Sequence, residues 1–259
     1  MNRIEGKLAL ITGASSGIGE ACARRFARDG ARLILWARRL DRLDRIADEL
    51  ETAHRVHVHV ARVDVRDRDA VNAAATAIAE AGDVPDILIN AAGLAAGMAK
   101  IHEGDPDDWD RMIDTNITGV LNVSRAILPM MVRQNRGHVV NIGSTAGHIT
   151  YPSGNVYAAT KFAIHGLTQG MNLDMAGTDV RVSTVDPGFV ETEFSLVRFH
   201  GDAERAKKTY AGFQPLTGAD VADAIAYVVN APPHVNIAEM IMMPTAQRNI
   251  YVVHRETSG

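Results

Sequence analysis

The chain has 259 residues, of which 46% are hydrophobic and 22% charged, with a formal net charge of −4. This length and composition predict one folded domain, and the acidic balance argues against a nucleic-acid partner. With a single cysteine, Cys22, the chain cannot form an intrachain disulfide, so we expect a reducing, cytoplasmic setting. No run approaches the roughly 20 apolar residues of a membrane helix, so no membrane partner is expected.

Short apolar or β-branched runs alternate with longer amphipathic patterns along the chain. This alternation predicts βαβ units, and hence a doubly wound parallel sheet with helices on both faces. The predicted fold is a single α/β Rossmann-type domain over residues 1–259 with a seven-stranded sheet. The predicted strands are Leu8–Thr12, Arg32–Ala37, Val56–Val60, Asp86–Asn90, Gly137–Ile142, Val180–Val185 and Glu239–Met243.

Helix boundaries are indicated by capping residues. Asp105 and Pro106 are typical of a helix start, whereas Gly30 and Gly82 follow predicted helices as C-terminal stops. Predicted helices include Gly17–Asp29, Asp41–Thr52 and Asp67–Ala81.

Two segments near the C-terminus lack a clear period. Residues 187–215 form one long irregular stretch, which predicts a substrate loop because long loops in compact domains usually bind or cover ligands. Residues 245–259 are interpreted as a C-terminal tail. This tail and Met240–Pro244 either pack at a subunit interface, or are a last core strand followed by a loose end.

The segment Thr12–Gly19 reads TGASSGIG and opens a helix directly after the first predicted strand. Glycines allow a tight turn and close approach to a pyrophosphate, and the helix N-terminus offers free N–H groups. The pattern predicts a dinucleotide site, although a glycine-rich turn without a ligand has the same composition. The residues predicted to contact the dinucleotide here are Gly13, Ser15, Ser16, Gly17, Ile18 and Gly19.

The end of the second predicted strand bears on the choice of dinucleotide. It carries Arg38 and Arg39, with no carboxylate until Asp41. Arginine suits the 2′-phosphate of NADP(H), whereas NAD(H) binding usually places an acid at this position; the alternative is two solvated surface charges. Asp64, followed by Val65, either accepts a hydrogen bond from adenine or caps the following helix.

Tyr157 and Lys161 stand four residues apart, on one face of a predicted helix. Ser144 stands at the end of the fifth predicted strand, where a doubly wound sheet forms its ligand crevice. Hydride transfer between a carbinol and nicotinamide needs a proton moved at the substrate oxygen. A tyrosine with a pKa near ~10 can do so when neighbouring cations lower its pKa, and a serine hydroxyl can bond the same oxygen. This chemistry requires no metal. The alternative is a helix-surface contact beside an unrelated serine.

Over essentially its whole length the sequence resembles the short-chain dehydrogenase/reductase family. The resemblance implies that Tyr157 is the general acid/base, that Lys161 binds the nicotinamide ribose and lowers the pKa of Tyr157, and that Ser144 orients the substrate oxygen. It also implies that Asn116 holds a water linking Lys161 to solvent. The matched elements are the loop Thr12–Gly19, Asp64, Asn90, Gly93, Asn116, Ser144, Tyr157, Lys161, Pro187, Gly188 and Thr192.

The resemblance also implies the nicotinamide end of the cofactor site. Pro187, Gly188, Val190 and Thr192 would lie there and position the carboxamide. One departure concerns the fourth predicted strand, after which the family usually reads Asn-Asn-Ala-Gly, whereas this chain reads Asn-Ala-Ala-Gly over residues 90–93. The alanine lacks the side-chain hydrogen bonds of the second asparagine, so a local contact is in question there.

Three further stretches, 155–157, 191–199 and 234–237, look like those of the NADP-dependent 3-hydroxy acid dehydrogenases within this family. That likeness implies substrates such as serine, allo-threonine or 3-hydroxypropionate, and a cytoplasmic homotetramer. Arg198 then has two equal interpretations, a clamp for the substrate carboxylate or an intrachain ion pair. The alternatives are a carbonyl reductase for another ketone, sugar, steroid or acyl substrate, or a non-catalytic NADP-binding sensor or scaffold.

The ten histidines show no paired spacing typical of metal ligands. His57 and His59 share one face of a predicted strand, where packing or exposure explains them better than metal binding. We therefore expect no metal.

Overall fold

Seven parallel strands form the central sheet of the computed structural model, which describes residues 2–256. The strands are β1 (Leu8–Thr12), β2 (Arg32–Ala37), β3 (Val58–Arg62), β4 (Ile87–Asn90), β5 (Gly137–Ile142), β6 (Val180–Pro187), the separate pair β7 (Val190–Glu191) and β8 (Leu216–Thr217), and β9 (Glu239–Met242). The order in the central sheet is β3-β2-β1-β4-β5-β6-β9, so strands are added on one side from β1 to β3 and on the other side from β4 onward. This order confirms the predicted doubly wound parallel sheet.

Helices cover both faces of this sheet. A π-helical turn, Asp114–Thr118, joins two of them, and a 3₁₀ turn, Thr145–Gly147, follows β5. Among the helices of residues 2–256, none combines the length and hydropathy needed to cross a membrane. The helices are α1 (Gly17–Arg28), α2 (Leu40–His54), α3 (Arg68–Glu80), α4 (Pro106–Ile113), α5 (Gly119–Arg133), α6 (Asn155–Asp174), α7 (Phe194–Arg198), α8 (Ala203–Lys208) and α9 (Gly218–Val229).

Successive side chains of β1 enter two different cores, because strand side chains alternate between the faces of a sheet. Ala9 and Ile11 belong to a buried cluster with Phe26 of α1, which also includes side chains of α2 and α9. Leu10 belongs to the opposite cluster with Ile127 of α5. Burial on both faces explains why the strands read as continuous apolar runs.

Element boundaries agree with the predicted ones to within two residues. β3 begins at Val58 instead of Val56, because α2 ends with Arg55 in the left-handed conformation (φ 56°) and the chain needs two more residues to reach the sheet. β6 continues to Pro187 instead of ending at Val185, and α2 continues to His54 instead of Thr52. Asp105 accepts a hydrogen bond from the Asp107 N–H and caps α4 as predicted. Gly30 (φ 82°) and Gly82 (φ 74°) follow their helices in the left-handed region.

The prediction that residues 187–215 are irregular is wrong, because the segment contains β7, α7 and α8. These elements have two to six residues, too few to show a period in the sequence. The tail likewise is not loose over 245–256. Gln247 bridges to Val253, and the Glu256 N–H donates to the Gly212 carbonyl at 2.7 Å. Residues 257–259 of the predicted tail lie outside the described residues.

Leu88→Ala is expected to lower the free energy of unfolding by about 2–5 kcal/mol, because it leaves a cavity at a fully buried position of β4. Leu173→Ala is the matched control, since Leu173 on α6 is 77% exposed and its truncation should cost no more than about 0.5 kcal/mol. Urea unfolding followed by circular dichroism measures both values. Equal losses in the two variants would contradict the placement of β4 in the core.

Candidate active site

The carboxyl ends of β4, β5 and β6 border one cavity of about 370 Å³. In an open α/β sheet this edge is where ligands bind. Twelve of the residues predicted from the sequence line the cavity, namely Ile18, Asn90, Gly93, Asn116, Ser144, Tyr157, Lys161, Pro187, Gly188, Val190, Thr192 and Arg198. The other predicted residues lie outside this wall, on the glycine loop and beyond the ends of β2 and β3: Gly13, Ser15, Ser16, Gly17, Gly19, Arg38, Arg39, Asp64 and Val65.

The glycine loop has the close packing that a phosphate cradle requires. Gly13 (φ 66°) and Gly17 (φ 57°) adopt the left-handed conformation. A Cβ atom on Gly19 would lie 2.5 Å from the Gly13 carbonyl oxygen, and one on Gly13 would lie 2.8 Å from the Ala92 backbone. The Ser16 side chain does not cap α1, so the first turn of this helix is available to an anion. These residues fit a dinucleotide pyrophosphate.

Arg39 lies across the glycine loop. Its guanidinium donates to the hydroxyl oxygens of Ser16 at 2.7 Å and Ser15 at 3.2 Å, and forms a salt bridge with Glu193 at 3.0 Å. Arg42 binds the other oxygen of Glu193 at 2.8 Å and, with Arg39, holds the pKa of that carboxyl below its usual range. Glu193, which connects the loop to the start of α7, was not among the predicted site residues. Arg38, by contrast, is exposed.

Asp64 is engaged by Arg66, whose guanidinium donates to its two oxygens at 3.0 Å and 2.6 Å. These hydrogen bonds hold the pKa of Asp64 below its usual value. The interpretation of Asp64 as a helix cap is wrong, since Asp67 caps α3 by accepting from the Asp69 and Ala70 N–H groups. The contact of Asp64 with adenine stays a prediction.

Val65, the other residue predicted here for the cofactor, is buried in the core beside α5. A Cβ atom on Gly119 would lie only 2.6 Å from its Cγ2. The Val65 carbonyl oxygen accepts from Asn122 Nδ2 at 3.0 Å. A contact between Val65 and the cofactor would therefore involve its backbone.

The loop after β4 is held by side chains from neighbouring strands. Asn90 Nδ2 donates to Asn141 Oδ1 at 2.9 Å, while Asn90 Oδ1 is buried without a partner. Thr12 Oγ1 accepts from both the Ala91 and Ala92 N–H groups at 3.1 Å. The backbone at the departure from the family sequence is thus fixed by Thr12, without a side chain at residue 91.

Asn116 connects this loop to α6. It lies in the π-helical turn 114–118, a geometry that often marks functional sites. Its Oδ1 accepts from the Leu94 N–H at 2.9 Å, and its Nδ2 donates to the Leu94 carbonyl at 2.8 Å and to Thr160 Oγ1 at 3.0 Å. The predicted water relay from Asn116 to Lys161 stays a prediction.

Ser144, Tyr157 and Lys161 meet in the wall of the cavity, and all three are buried. Ser144 caps the 3₁₀ turn after β5, with its Oγ accepting from the Ala146 N–H at 3.1 Å. Lys161 Nζ donates to the Ile142 carbonyl at 2.8 Å and lies 5.9 Å from the centre of the Tyr157 ring. The i, i+4 spacing on α6 therefore produces the predicted arrangement.

Burial has the largest effect on the pKa values of Tyr157 and Lys161. It raises the pKa of Tyr157 to about 12, with Arg198 and a hydrogen bond to Ser144 acting in the opposite direction. It lowers the pKa of Lys161 to about 8, against the field of Asp186. In the protein by itself, desolvation of the phenolate outweighs the field of Arg198 and the hydrogen bond to Ser144. The lowering of the Tyr157 pKa expected from Lys161 and the bound nicotinamide stays a prediction. At neutral pH Tyr157 retains its proton and is set to donate it.

Arg198 faces the same ring. Its Cζ lies 4.9 Å from the centre of the Tyr157 ring, closer than the lysine nitrogen, and a guanidinium nitrogen donates to the Tyr151 hydroxyl. Its Nε is buried without a partner. Within residues 2–256 Arg198 forms no salt bridge, so the predicted intrachain ion pair is not found there. Tyr151, which the sequence analysis missed, orients this guanidinium.

The segment after β6 supplies the remaining wall of the cavity. Thr192 Oγ1 accepts from the Phe194 N–H at 3.2 Å, and a Cβ atom on Gly17 would contact Thr192 at 3.4 Å. Gln247 Oε1 accepts from the Phe189 N–H at 3.0 Å, and a Cβ atom on Gly188 would collide with it. Gln247 is a cavity residue that sequence reasoning missed, since nothing in the tail pattern marks it.

The fold, the glycine loop and the buried serine, tyrosine and lysine define an oxidoreductase that uses a dinucleotide site. The family model described as short chain dehydrogenase matches residues 7–201, and the chain belongs to this family.

Among its relatives is the NADP-dependent 3-hydroxy acid dehydrogenase YdfG of Escherichia coli K12, which is 43% identical over 251 residues, 96% of this chain and 100% of that protein. Sulfoacetaldehyde reductase 2 of Chromohalobacter salexigens is 44% identical over 241 residues, covering 93% of this chain and 95% of that one. The solved closed form of serine dehydrogenase complexed with NADP+ superposes with a TM-score of 0.90 at 43% identity, covering 96% of this chain and 100% of that chain.

The reductive kcat/KM for the dinucleotide is expected to fall above about pH 8, because Lys161 loses its charge as pH rises through a pKa of about 8. Below that pH the ammonium is present and the rate should be constant, and above it the loss approaches about tenfold per pH unit. Lys161→Met is the control and should be slow with no inflection near pH 8. A wild-type profile that is flat to pH 10 would contradict the role of Lys161.

Proposed function

We propose that the protein is an NADP(H)-dependent oxidoreductase that oxidises short 3-hydroxy acids, of the serine, allo-threonine or 3-hydroxypropionate type, and reduces the corresponding 3-oxo acids. One observation carries the substrate class: the buried, unpartnered Nε of Arg198 lies beside the Tyr157 ring. A cation in this position holds an anionic group next to the carbon whose oxygen exchanges a proton with Tyr157.

The reaction follows from the protonation states of Tyr157 and Lys161. The bound nicotinamide supplies or accepts the hydride. In reduction, the Tyr157 hydroxyl donates its proton to the carbonyl oxygen, and the Ser144 hydroxyl hydrogen-bonds the same oxygen as its charge develops. Lys161, fixed by the Ile142 carbonyl at 2.8 Å, binds the nicotinamide ribose, and its positive charge stabilises the tyrosinate that remains. In oxidation the same groups act in reverse.

The cofactor site in this proposal uses the residues predicted from the sequence. Arg39, rather than the exposed Arg38, has the position to bind a 2′-phosphate, since its guanidinium already lies on the two serine hydroxyls of the loop. The names of the relatives YdfG and serine dehydrogenase with NADP+ support the same dinucleotide. The pyrophosphate would lie on the first turn of α1, with Asn90, Gly93, Pro187, Gly188, Val190 and Thr192 toward the nicotinamide.

A second candidate substrate class is a short aldehyde that carries a sulfonate. Two relatives at 43% and 44% identity are named sulfoacetaldehyde reductase. A sulfonate and a carboxylate present the same negative charge to Arg198, so the charge of the site alone does not choose between them. A reductase of neutral ketones, sugars, steroids or acyl chains would leave the Arg198 Nε unpaired, which is costly for a buried charge. Membership of the family makes the protein an enzyme rather than a sensor or scaffold.

We further propose a cytoplasmic homotetramer. Support comes from the family likeness and from apolar side chains that α5 and α6 expose in the single chain. Leu121 on α5 is 44% exposed and Phe162 on α6 is 43% exposed. Packing against other copies would remove such side chains from water.

Arg198→Ala is expected to lower kcat/KM about 30- to 1000-fold for 3-hydroxypropionate and serine, because a buried charge pair with the substrate is lost. Turnover of a neutral ketone of equal size should fall far less, because only the effect of Arg198 on the Tyr157 pKa is lost. Initial rates of NADPH formation or consumption over a panel of hydroxy acids, sulfoacetaldehyde and neutral ketones measure this difference.

The matched controls in this panel are Arg198→Lys, which keeps the charge and should recover part of the rate, and Tyr157→Phe, which should be nearly inactive on every substrate. If Arg198→Ala retains full activity on the acids, Arg198 does not bind their carboxylate. If Tyr157→Phe stays active, the proposed proton donor is wrong.

Arg39→Ala is expected to raise the KM for NADPH by about 10- to 100-fold and to change that for NADH much less, because charge-assisted hydrogen bonds to the 2′-phosphate are lost. Arg42→Ala is the control, since Arg42 shares Glu193 with Arg39 and has no contact with the loop serines. Arg38→Ala tests the other arginine of the pair. If Arg39→Ala and Arg38→Ala each weaken NADPH and NADH equally, neither arginine selects the cofactor.

A further inference from the structure

We propose that His148, His165, Asp186 and Glu239 form a binding site for one divalent cation of the zinc class, directly behind the active-site wall. One ligand atom from each of these residues lies within 4.8 Å of those of the other three. The four come from different parts of the fold: the end of the 3₁₀ turn after Ser144, α6, β6 and β9. The proposal does not depend on the substrate class.

Three of the distances lie near those of tetrahedral coordination. His148 Nε2 lies 3.0 Å from Asp186 Oδ2 and 3.1 Å from Glu239 Oε1, and His165 Nε2 lies 3.6 Å from Asp186 Oδ2. Zinc bonds of about 2.0–2.2 Å in a tetrahedron separate neighbouring ligand atoms by about 3.3–3.6 Å. His165 faces Glu239 with its other nitrogen, Nδ1, at 3.7 Å, so a central cation requires the His165 ring and the Glu239 side chain to turn toward it.

The hydrogen bonds within the cluster are incomplete. His165 Nε2 is buried and has no hydrogen-bond partner. One nitrogen of His148 faces two carboxylate oxygens at once, and a single N–H cannot donate well to both. Asp186 Oδ1 accepts from Thr184 Oγ1 at 2.6 Å, which leaves its Oδ2 directed at the imidazoles. A central cation would give all of these lone pairs a partner.

The charge of the cluster also requires compensation. Asp186 is fully buried, and a desolvated carboxylate is unfavourable without a positive partner. Within the described part of the chain, neither Asp186 nor Glu239 forms a salt bridge with lysine or arginine, and the two histidines are the only ionic partners in contact with them. The Lys161 ammonium lies in the field of Asp186 but beyond salt-bridge distance, so it compensates at most one of the two carboxylates. A divalent cation balances the two carboxylates while both imidazoles remain neutral ligands.

Two imidazoles and two carboxylates suit zinc and its first-row neighbours better than calcium or magnesium, which prefer oxygen ligands alone. Four protein ligands complete a tetrahedron and leave no open position for a substrate. The cation would therefore be structural. It would tie together β9 and the segments that carry Ser144, Lys161 and Pro187, while the hydride chemistry itself still requires no metal.

The experiment titrates tag-free, chelator-treated protein with Co²⁺, whose tetrahedral complexes absorb visible light strongly. We expect one equivalent to bind with tetrahedral bands, and Zn²⁺ to displace it. Glu239→Gln, a conservative change at a partly exposed position, should weaken binding by about tenfold or more because a charged ligand is lost. His234→Gln, an exposed histidine outside the cluster, is the control and should bind like the wild type.

A second measurement follows thermal unfolding with and without Zn²⁺. A cation that binds the folded state raises Tm, so at equal Zn²⁺ concentration the wild type should be stabilised more than His148→Gln and Glu239→Gln. The absence of tetrahedral bands, equal Co²⁺ affinity in Glu239→Gln, or a wild-type Tm that Zn²⁺ leaves unchanged would each overturn the site. The four side chains would then be linked by hydrogen bonds alone. None of these readouts involves turnover, so failure of the proposed substrate would not affect them.

Discussion

Removal of two ionisable side chains from water governs the active site. Burial acts on Tyr157 and Lys161 in chemically opposite ways, raising the pKa of the phenol to about 12 and lowering that of the ammonium to about 8, so each is pushed toward its neutral form. The fields that oppose burial come from two residues, Arg198 beside the phenol and Asp186 behind the lysine. These two charges are carried by α7 and β6. The positions of α7 and β6 therefore determine how readily Tyr157 exchanges a proton with a substrate.

The sequence was sufficient for the main sheet because every strand buried on both faces reads as an apolar run, as β1 and β4 do. It was also sufficient for the positions of Ser144, Tyr157 and Lys161, since a strand end and an i, i+4 pair on a helix have fixed places in a doubly wound fold. The elements between residues 187 and 217 escaped prediction because two-residue strands and single-turn helices have no period.

Features that depend on distances between side chains could not be predicted. The sign of the Tyr157 shift depends on how completely the phenol is desolvated, and the choice between Arg38 and Arg39 depends on which guanidinium reaches the loop serines. The histidine–carboxylate cluster was missed for the same reason, because its members are spread from residue 148 to residue 239 and only the crossovers of the sheet bring them together. Spacing rules for metal ligands assume neighbours in sequence.

Gln247 and Arg255 line the cavity although they follow the last strand of the sheet. The wall of the cavity therefore joins the start of α1, through Ile18, to a segment beyond the last strand. Because Gln247 in that segment accepts from the Phe189 N–H, a change that loosens residues 245–256 would open the cavity without altering any strand of the sheet.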